Sequence, residues 1–214
     1  MEALIFGARG ALGSAIVDEL QQRHYRVHAL GHDESIDTLD TLPGLDAVVW
    51  AQGINGADSV ADGFSEATYT AVMEANVTFV ARSMAHLLTM GRINNPARFC
   101  VLSSIWQEQA RSNKFSYTVS KAAVGGLVRS CAADLGKRGI LINAVLPGVV
   151  DTPMTRKNLS SDQIGGITGA SALGHLATPQ DIATTVAFLI GPDNRSITAQ
   201  SLAVDAGFSL VRGL

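Results

Sequence analysis

The sequence predicts an α/β fold in one domain, with a doubly wound, mostly parallel sheet covered by helices on both faces. Two observations support this prediction. Short apolar runs alternate with helical patterns along all 214 residues, and these runs are continuous, as in strands that are buried on both faces. Because neither a repeat nor a linker interrupts the pattern, residues 1–214 are expected to form a single domain.

The elements follow one another in a regular order. Strands are predicted at 2–6, 25–30, 45–53, 97–104, 140–148 and 200–207. Helices are predicted at 14–23, from Phe64 to about Leu88, from Ser116 to Gly136 and at 178–190, where Thr178 and Pro179 give a cap and a first-turn proline. The stretch between His32 and Pro43 is too short for a helix and a strand, so one peripheral helix should be missing or reduced there.

Composition argues against several classes of function. The formal net charge is −3, and the basic residues do not cluster, so neither a nucleic-acid partner nor an anionic membrane surface is indicated. No apolar run reaches the length of a membrane span, and no signal peptide precedes the first strand. The two cysteines and five histidines lack metal-ligand spacing. We therefore expect a cytoplasmic protein without a structural metal.

Three glycines, Gly7, Gly10 and Gly13, lie between the first strand and the first helix. Such a turn lets a pyrophosphate approach the amides of a helix N-terminus, where the helix dipole is positive. A glycine-rich turn without a ligand is the alternative. At the end of the second strand, Gly31 stands where a carboxylate would hold the adenosine ribose of NAD, and Arg9 can neutralise a 2′-phosphate. This combination favours NADP over NAD.

Tyr117 and Lys121 are four residues apart and share a helix face. A cation about 4 Å from a phenolate stabilises it by roughly 4 kcal/mol, which would lower the Tyr117 pKa by about three units toward working pH. Thirteen residues earlier, Ser104 closes a strand, where its hydroxyl can bind a substrate carbonyl. Asn76 stands in mid-helix, a position that asparagine disfavours. Each residue also has a purely structural alternative. Tyr117 could be a half-buried helix residue, Ser104 a cap at the strand end, and Asn76 an exposed side chain.

Together these residues resemble the short-chain dehydrogenase/reductase family over essentially the whole chain, and a single-domain Rossmann fold is implied. The resemblance also covers "WAQG", "PGVVDTP" and "SLAVDAG". It implies that Tyr117 exchanges a proton with the substrate oxygen, that Ser104 holds this oxygen, and that Lys121 lowers the Tyr117 pKa and binds the nicotinamide ribose. Asn76 would keep a water that links Lys121 to solvent.

A dinucleotide site follows from the same resemblance. The implied cofactor-binding residues are Gly7, Arg9, Gly10, Leu12, Gly13, His32, Asp37, Ala51, Gln52, Gly53, Tyr117, Lys121, Pro147, Gly148, Val150 and Thr152. This chain departs from the family where Gly10 falls one place early and where Gln52 replaces an alanine. The stretch after His32 is shortened, and Asp37 is the contact expected from it.

The leading hypothesis is an NADP-dependent enzyme that reduces a ketone or oxidises a secondary alcohol. A 3-oxoacyl-thioester reductase would need a basic docking patch, for which Arg129, Arg138, Arg156 and Lys157 are candidates. A dinucleotide sensor without turnover is a further alternative. Residues 153–175, rich in Gly and Ser, are expected to form a mobile substrate lid. Small residues after Tyr117 permit close helix approach, so a homodimer or homotetramer is expected.

Overall fold

The computed structural model describes residues 1–31 and 36–211, and in these residues a six-stranded parallel sheet forms the centre of the molecule. The strands are β1 (Glu2–Phe6), β2 (Arg26–Leu30), β3 (Leu45–Trp50), β4 (Ile93–Leu102), β5 (Ile140–Pro147) and β6 (Ser201–Val204). Their spatial order is β2-β1-β3-β4-β5-β6, and each neighbouring pair is parallel. The predicted doubly wound fold is therefore confirmed.

Helices cover both faces of this sheet. They are α1 (Ala11–Gln22), α2 (Glu66–Met73), α3 (Phe79–Thr89), α4 (Phe115–Leu135), α5 (Pro153–Asn158), α6 (Ser161–Ala170) and α7 (Pro179–Ile190). A six-residue 3-10 helix, Ile36–Thr41, stands where a full peripheral helix would otherwise cross between strands. The predicted reduction of this crossover is confirmed. In the described residues, no helix is both long and apolar enough to cross a bilayer.

The alternation of side chains along each strand divides the core into two layers. Leu4 and Phe6 of β1 pack on the layer that α3 and α4 cover, whereas Ala3 and Ile5 pack under α1 and α7. Trp50 belongs to the first layer and is fully buried. Because both faces of every central strand are covered, the strands are apolar at consecutive positions, which explains the continuous runs in the sequence.

The segment expected to be a mobile lid contains regular structure. It forms α5 and α6, each of which begins with an N-terminal cap. At the start of α5, Thr152 accepts a hydrogen bond from the Thr155 amide at 3.1 Å, and at the start of α6, Ser160 forms a capping box with Gln163. These caps stabilise two short helices in spite of the glycines. A role of residues 153–175 in covering substrate stays a prediction.

Candidate active site

The candidate site lies at the carboxyl ends of the strands, where the chain order of the sheet reverses between β1 and β3. This is the place at which open α/β sheets form ligand crevices. Two adjoining cavities of about 440 and about 590 Å³ share the turn after β3 as a common wall. We call the first the inner cavity and the second the outer cavity. The inner one contains Ser104, Tyr117 and Lys121, and the outer one contains Arg9 and Gly31.

The glycine turn after β1 is shaped mainly by packing against its own neighbours. Gly7 has a φ of +74°, and a Cβ added there would lie 2.5 Å from the backbone nitrogen of Gln52. A Cβ at Gly13 would lie 2.1 Å from the Gly7 carbonyl oxygen. Gly10 is different, because its Cβ would have no contact closer than 3.4 Å and the residue lines both cavities. It is the N-cap of α1 and has no side chain to satisfy the first-turn amides, which an anion can bind instead.

Tyr117 and Lys121 meet on the first two turns of α4, beside Ser104 at the end of β4. Lys121 Nζ lies 5.5 Å from the centroid of the Tyr117 ring and donates a hydrogen bond to the Leu102 carbonyl at 3.0 Å. Only 4% of the Lys121 residue is exposed. The Ser104 hydroxyl is also buried and accepts a hydrogen bond from the Trp106 amide at 3.3 Å. The structure therefore brings these three predicted site residues together in one cavity.

Burial dominates the ionisation of both Tyr117 and Lys121. It raises the pKa of Tyr117 above the ordinary value of 10.0, and the neighbouring Ser104 hydroxyl opposes this shift only in part. Burial also lowers the pKa of Lys121 to about 8. The expected lowering of the Tyr117 pKa by Lys121 is thus wrong for the protein chain on its own. The reason is that burial removes water from the phenolate itself, and this desolvation outweighs the opposing hydrogen bond with Ser104.

Asn76 is buried in a π-helical turn, Glu74–Thr78, that joins α2 to α3. Its Oδ1 accepts a hydrogen bond from the Ile54 amide at 2.8 Å, and its Nδ2 donates to the Ile54 carbonyl and to the Ser120 hydroxyl, both at 3.0 Å. Both amide hydrogens are therefore used by protein groups. The side chain fastens the turn after β3 to α4. The expected role of Asn76 in keeping a water stays a prediction.

A carboxylate that sequence reasoning missed anchors the N-terminus of α4. Asp58 Oδ1 accepts a hydrogen bond from the Ser116 amide at 3.0 Å, and the Ser116 hydroxyl donates to Asp58 Oδ2. Both residues are buried. Since the N-cap residue Lys114 contributes no side-chain cap, Asp58 satisfies the start of the helix and fixes the residue next to Tyr117. The two partners are 58 positions apart, so no local pattern indicated the contact.

The residues implied to bind cofactor fall into two groups in the structure. Most of them line one or both cavities: Gly7, Arg9, Gly10, Leu12, Gly13, Ala51, Gln52, Gly53, Tyr117, Lys121, Pro147, Gly148, Val150 and Thr152. Asp37 is exposed in the 3-10 helix and lines neither cavity. His32 lies outside the described residues.

The shape and chemistry of the cavities fit a dinucleotide. Both polar atoms of the Gln52 side chain are buried without a hydrogen-bond partner among the described residues, at the wall that the two cavities share. A Cβ at Gly53 would lie 3.1 Å from Asn76 Oδ1 and 3.5 Å from Lys121 Nζ, so a side chain here would press on the Asn76 amide at the cavity wall. Unsatisfied polar groups and uncapped helix amides beside two adjoining cavities are what a polar, anionic cofactor would bind.

The inner cavity is also lined by residues that the sequence did not indicate. Ile54, Asn55 and Lys114 also line the inner cavity, although no motif pointed to them. Of these, Lys114 could have been suspected, since it lies three residues before Tyr117.

Among the described residues, no three His, Cys, Asp or Glu side chains are grouped so as to hold a metal ion.

Comparisons with known proteins agree with this architecture. Residues 34–209 match the family model described as enoyl-(acyl carrier protein) reductase. The chain is 27% identical to the 3-oxoacyl-(acyl-carrier-protein) reductase FabG of Vibrio cholerae, over 98% of this chain and 97% of the relative. It is 31% identical to the (2S)-((R)-hydroxy(phenyl)methyl)succinyl-CoA dehydrogenase subunit BbsD of Thauera aromatica, over 93% of this chain and 83% of the relative.

A solved structure is similar at the level of the whole fold. A variant of actinorhodin polyketide ketoreductase with NADPH superposes with a TM-score of 0.87 at 25% identity, and the match covers 98% of this chain and 97% of that one. The expectation of an oxidoreductase that uses a nicotinamide dinucleotide is confirmed by these matches. The chain belongs to the short-chain dehydrogenase/reductase family.

Proposed function

We propose that the protein is an NADPH-dependent reductase of a ketone, or oxidises the corresponding secondary alcohol in reverse. The observation that carries the proposal is the convergence of Ser104, Tyr117 and Lys121 on a cavity that the glycine turn also lines. Each of these three side chains is held by a regular element or its end. Such preorganisation is what proton transfer to a bound carbonyl requires.

The proposed roles follow from the chemistry of each group. The Ser104 hydroxyl donates a hydrogen bond to the substrate carbonyl oxygen, and the Tyr117 phenol gives this oxygen a proton as it becomes a hydroxyl. Because burial raises the Tyr117 pKa, the phenol is protonated at neutral pH, which suits a proton donor in the reductive direction. Lys121, charged below its pKa of about 8, stabilises the phenolate that remains. Asn76 acts as a positioning residue through its hydrogen bond to Ser120.

The nicotinamide cofactor, when bound, supplies the hydride. We assign its pyrophosphate to the turn at Gly10 and Leu12, and its nicotinamide end to the segment from Pro147 to Thr152. The choice of NADP over NAD rests on Arg9 and Gly31, which line the outer cavity. An arginine can pair with a 2′-phosphate, whereas a glycine brings no carboxylate to repel it.

Reduction of a 3-oxoacyl thioester is the second candidate, and the named activity of the Vibrio cholerae relative favours it. The basic residues considered for carrier docking do not support it. Arg138 precedes β5, whereas Arg156 and Lys157 follow it, so an eight-residue strand, about 26 Å long, separates them. Arg156 is also paired with Asp151 at 2.6 Å. Arg138 therefore does not share one patch with Arg156 and Lys157.

One experiment separates the candidates. Protein is mixed with NADPH and a panel that contains simple ketones and 3-oxoacyl thioesters, and NADPH consumption is followed by absorbance with the Tyr117→Phe variant as control. Turnover of ketones supports the first proposal, and turnover of thioesters alone supports the second. Tight NADPH binding without turnover of any carbonyl compound would instead indicate a dinucleotide sensor.

The assembly and the lid belong to the same proposal. Ala122, Gly126, Arg129 and Ser130 are exposed on α4, and small residues there permit another helix to approach closely. We expect a homodimer or homotetramer, which light scattering after size exclusion would test.

We also expect residues 153–175 to cover the substrate, since Met154 and Thr155 already line the inner cavity.

A further inference from the structure

A second ammonium group lies beside Tyr117, at the mouth of the inner cavity. Lys114 Nζ is 6.0 Å from the centroid of the Tyr117 ring, compared with 5.5 Å for Lys121 Nζ. Lys114 is only partly buried, whereas Lys121 is almost completely buried, and both residues line the same cavity as Ser104. The reacting end of the site therefore has one deep cation and one that an incoming molecule can reach.

The partners of Lys114 orient its ammonium group without cancelling its charge. Nζ donates hydrogen bonds to Asn55 Oδ1 at 2.7 Å and to the Gly56 carbonyl at 3.3 Å, and both acceptors are neutral. Within residues 1–31 and 36–211, no carboxylate lies within ion-pair distance of this ammonium. The surface cation Arg156 differs in this respect, because Asp151 binds it through two hydrogen bonds of 2.6 Å.

The surroundings of Lys114 add positive charge. Partial burial lowers the Lys114 pKa, and the nearby Arg111 guanidinium lowers it further by repulsion. Arg111 is exposed on the loop that leads into α4. Two neighbouring cations, of which Lys114 lines the cavity, raise the local concentration of anions and repel cations. A neutral substrate gains nothing from this charge, whereas an anionic substrate would be attracted to it.

We propose that Lys114 binds an anionic group of the substrate while Ser104 and Tyr117 hold its carbonyl. This inference rests on the proposed function and narrows it to ketones that carry a carboxylate or a phosphate ester a few bonds from the reacting carbon. The short distance between the anionic group and the carbonyl follows from geometry, because Lys114 Nζ lies near the same ring whose hydroxyl would meet the carbonyl. The phosphate of a long thioester arm would lie too far away to reach both groups at once.

The test compares a short oxo acid with its neutral methyl ester as substrates. Wild-type protein should prefer the acid. Lys114→Met should lose about 10- to 100-fold in kcat/KM for the acid, mainly through KM, which is the range for a hydrogen bond to a charged group. The ester should be unaffected. Lys114→Arg should restore much of the preference, and Lys137→Met, an exposed lysine at the amino end of β5, should behave as wild type.

Several outcomes would overturn the inference. Equal losses for acid and ester would show that Lys114 acts on Tyr117, and weaker NADPH binding by Lys114→Met, measured by fluorescence, would show that it acts on the cofactor. Thermal melting of each variant identifies a folding defect. If Lys114→Met is unstable, the preference of Lys114→Arg for the acid and the inhibition of ester reduction by acetate decide whether the anion site exists. Stronger competition by inorganic phosphate than by acetate would identify a phosphate ester as the anion.

Failure of the proposed reductase function can be distinguished from failure of the proposed anion site. If no ketone is reduced, calorimetric titration of the oxo acid into protein with NADPH still reports on the anion site. Tighter binding to wild type than to Lys114→Met would support the site, and equal binding would remove it.

Discussion

The two cavities of the crevice are built in different ways. In the inner cavity, Ser104, Tyr117 and Lys121 lie on α4 or at the end of β4, are mostly buried, and are supported by backbone hydrogen bonds. In the outer cavity, Arg9 and Gly31 lie on loops, and the crossover that would enclose them is reduced to a short 3-10 helix. The residues proposed for the chemistry are therefore fixed by regular elements, whereas the residues proposed to choose between dinucleotides lie on loops.

This difference has a physical basis. Proton transfer is sensitive to small displacements, so the reacting groups need a framework whose rotamers are locked by packing. Binding of a nucleotide phosphate depends on charge and on reach, which a loop can supply with less precise placement. A loss in the inner cavity should therefore reduce turnover, and a loss in the outer cavity should change cofactor affinity.

The largest effect is expected for Tyr117→Phe. Removal of the hydroxyl should leave NADPH binding intact and lower kcat at least about a hundredfold, since general acid catalysis is worth this much. The measurement is steady-state turnover together with an NADPH titration. Tyr69→Phe is the matched control, because Tyr69 packs in a ring cluster with Phe64 and Phe115 and lines neither cavity. Near-normal turnover of Tyr117→Phe would refute the assigned role.

The second prediction concerns pH and sharpens the account of the inner cavity. Lys121 is charged below a pKa of about 8 and neutral above it, so kcat/KM for reduction should fall about tenfold per pH unit above this value. A decline that begins only above pH 10 would instead report the phenol of Tyr117, whose pKa is raised from 10.0.

The same group should appear in the stability of the protein. Burial lowers the Lys121 pKa from its ordinary value of 10.5 to about 8, so the unfolded state binds more protons between these two values. The free energy of unfolding of the wild type should therefore rise with pH across this window, relative to Lys121→Met. Denaturant titrations at about pH 7.5 and about pH 10 measure this rise. Parallel curves for the two proteins would contradict the assigned pKa.

The third prediction tests the outer cavity. Arg9→Ala should weaken NADPH binding about tenfold and NADH binding much less, because only NADPH carries the 2′-phosphate that the guanidinium can pair with. Fluorescence titrations with both cofactors measure this selectivity, and Arg9→Lys should keep part of it. Equal losses for the two cofactors would mean that Arg9 supports the glycine turn and does not read the phosphate.

The smallest effect is expected for Asp58→Asn. The amide can still accept a hydrogen bond from the Ser116 backbone, but the charge at the start of α4 is lost, which should lower the free energy of unfolding by about 1 kcal/mol. A few-fold loss of kcat should accompany it if Asp58 positions Tyr117. Asp62→Asn, an exposed carboxylate of the same loop, is the control. Unchanged kcat with reduced stability would limit Asp58 to a structural role.

Much of the fold could be predicted because its signals are local. Continuous apolar runs identified six strands, and the Thr178–Pro179 cap located α7. The helices α5 and α6 were missed, although the capping box at Ser160 was a local signal for one of them. The glycines of this segment predict a loop, but a cap stabilises a short helix even where its interior residues are poor helix formers.

The site was predictable only as far as spacing determines it. The four-residue interval between Tyr117 and Lys121 places both on one helix face, and strand ends meet at one edge of a parallel sheet. The ionisation of these groups depends on how deeply the folded chain buries them, and here burial reversed the expected direction for Tyr117.

The sequence by itself determined the order of elements, the glycine turn and the pairing of Tyr117 with Lys121, because each depends on residues that are close along the chain. Tertiary structure decided the anchoring of α4 by Asp58, the bonding of Asn76 to the turn after β3, and the placement of Lys114 beside the Tyr117 ring. These contacts join distant segments or depend on how the folded chain directs a side chain, and their strength depends on desolvation, which exists only once the chain has folded.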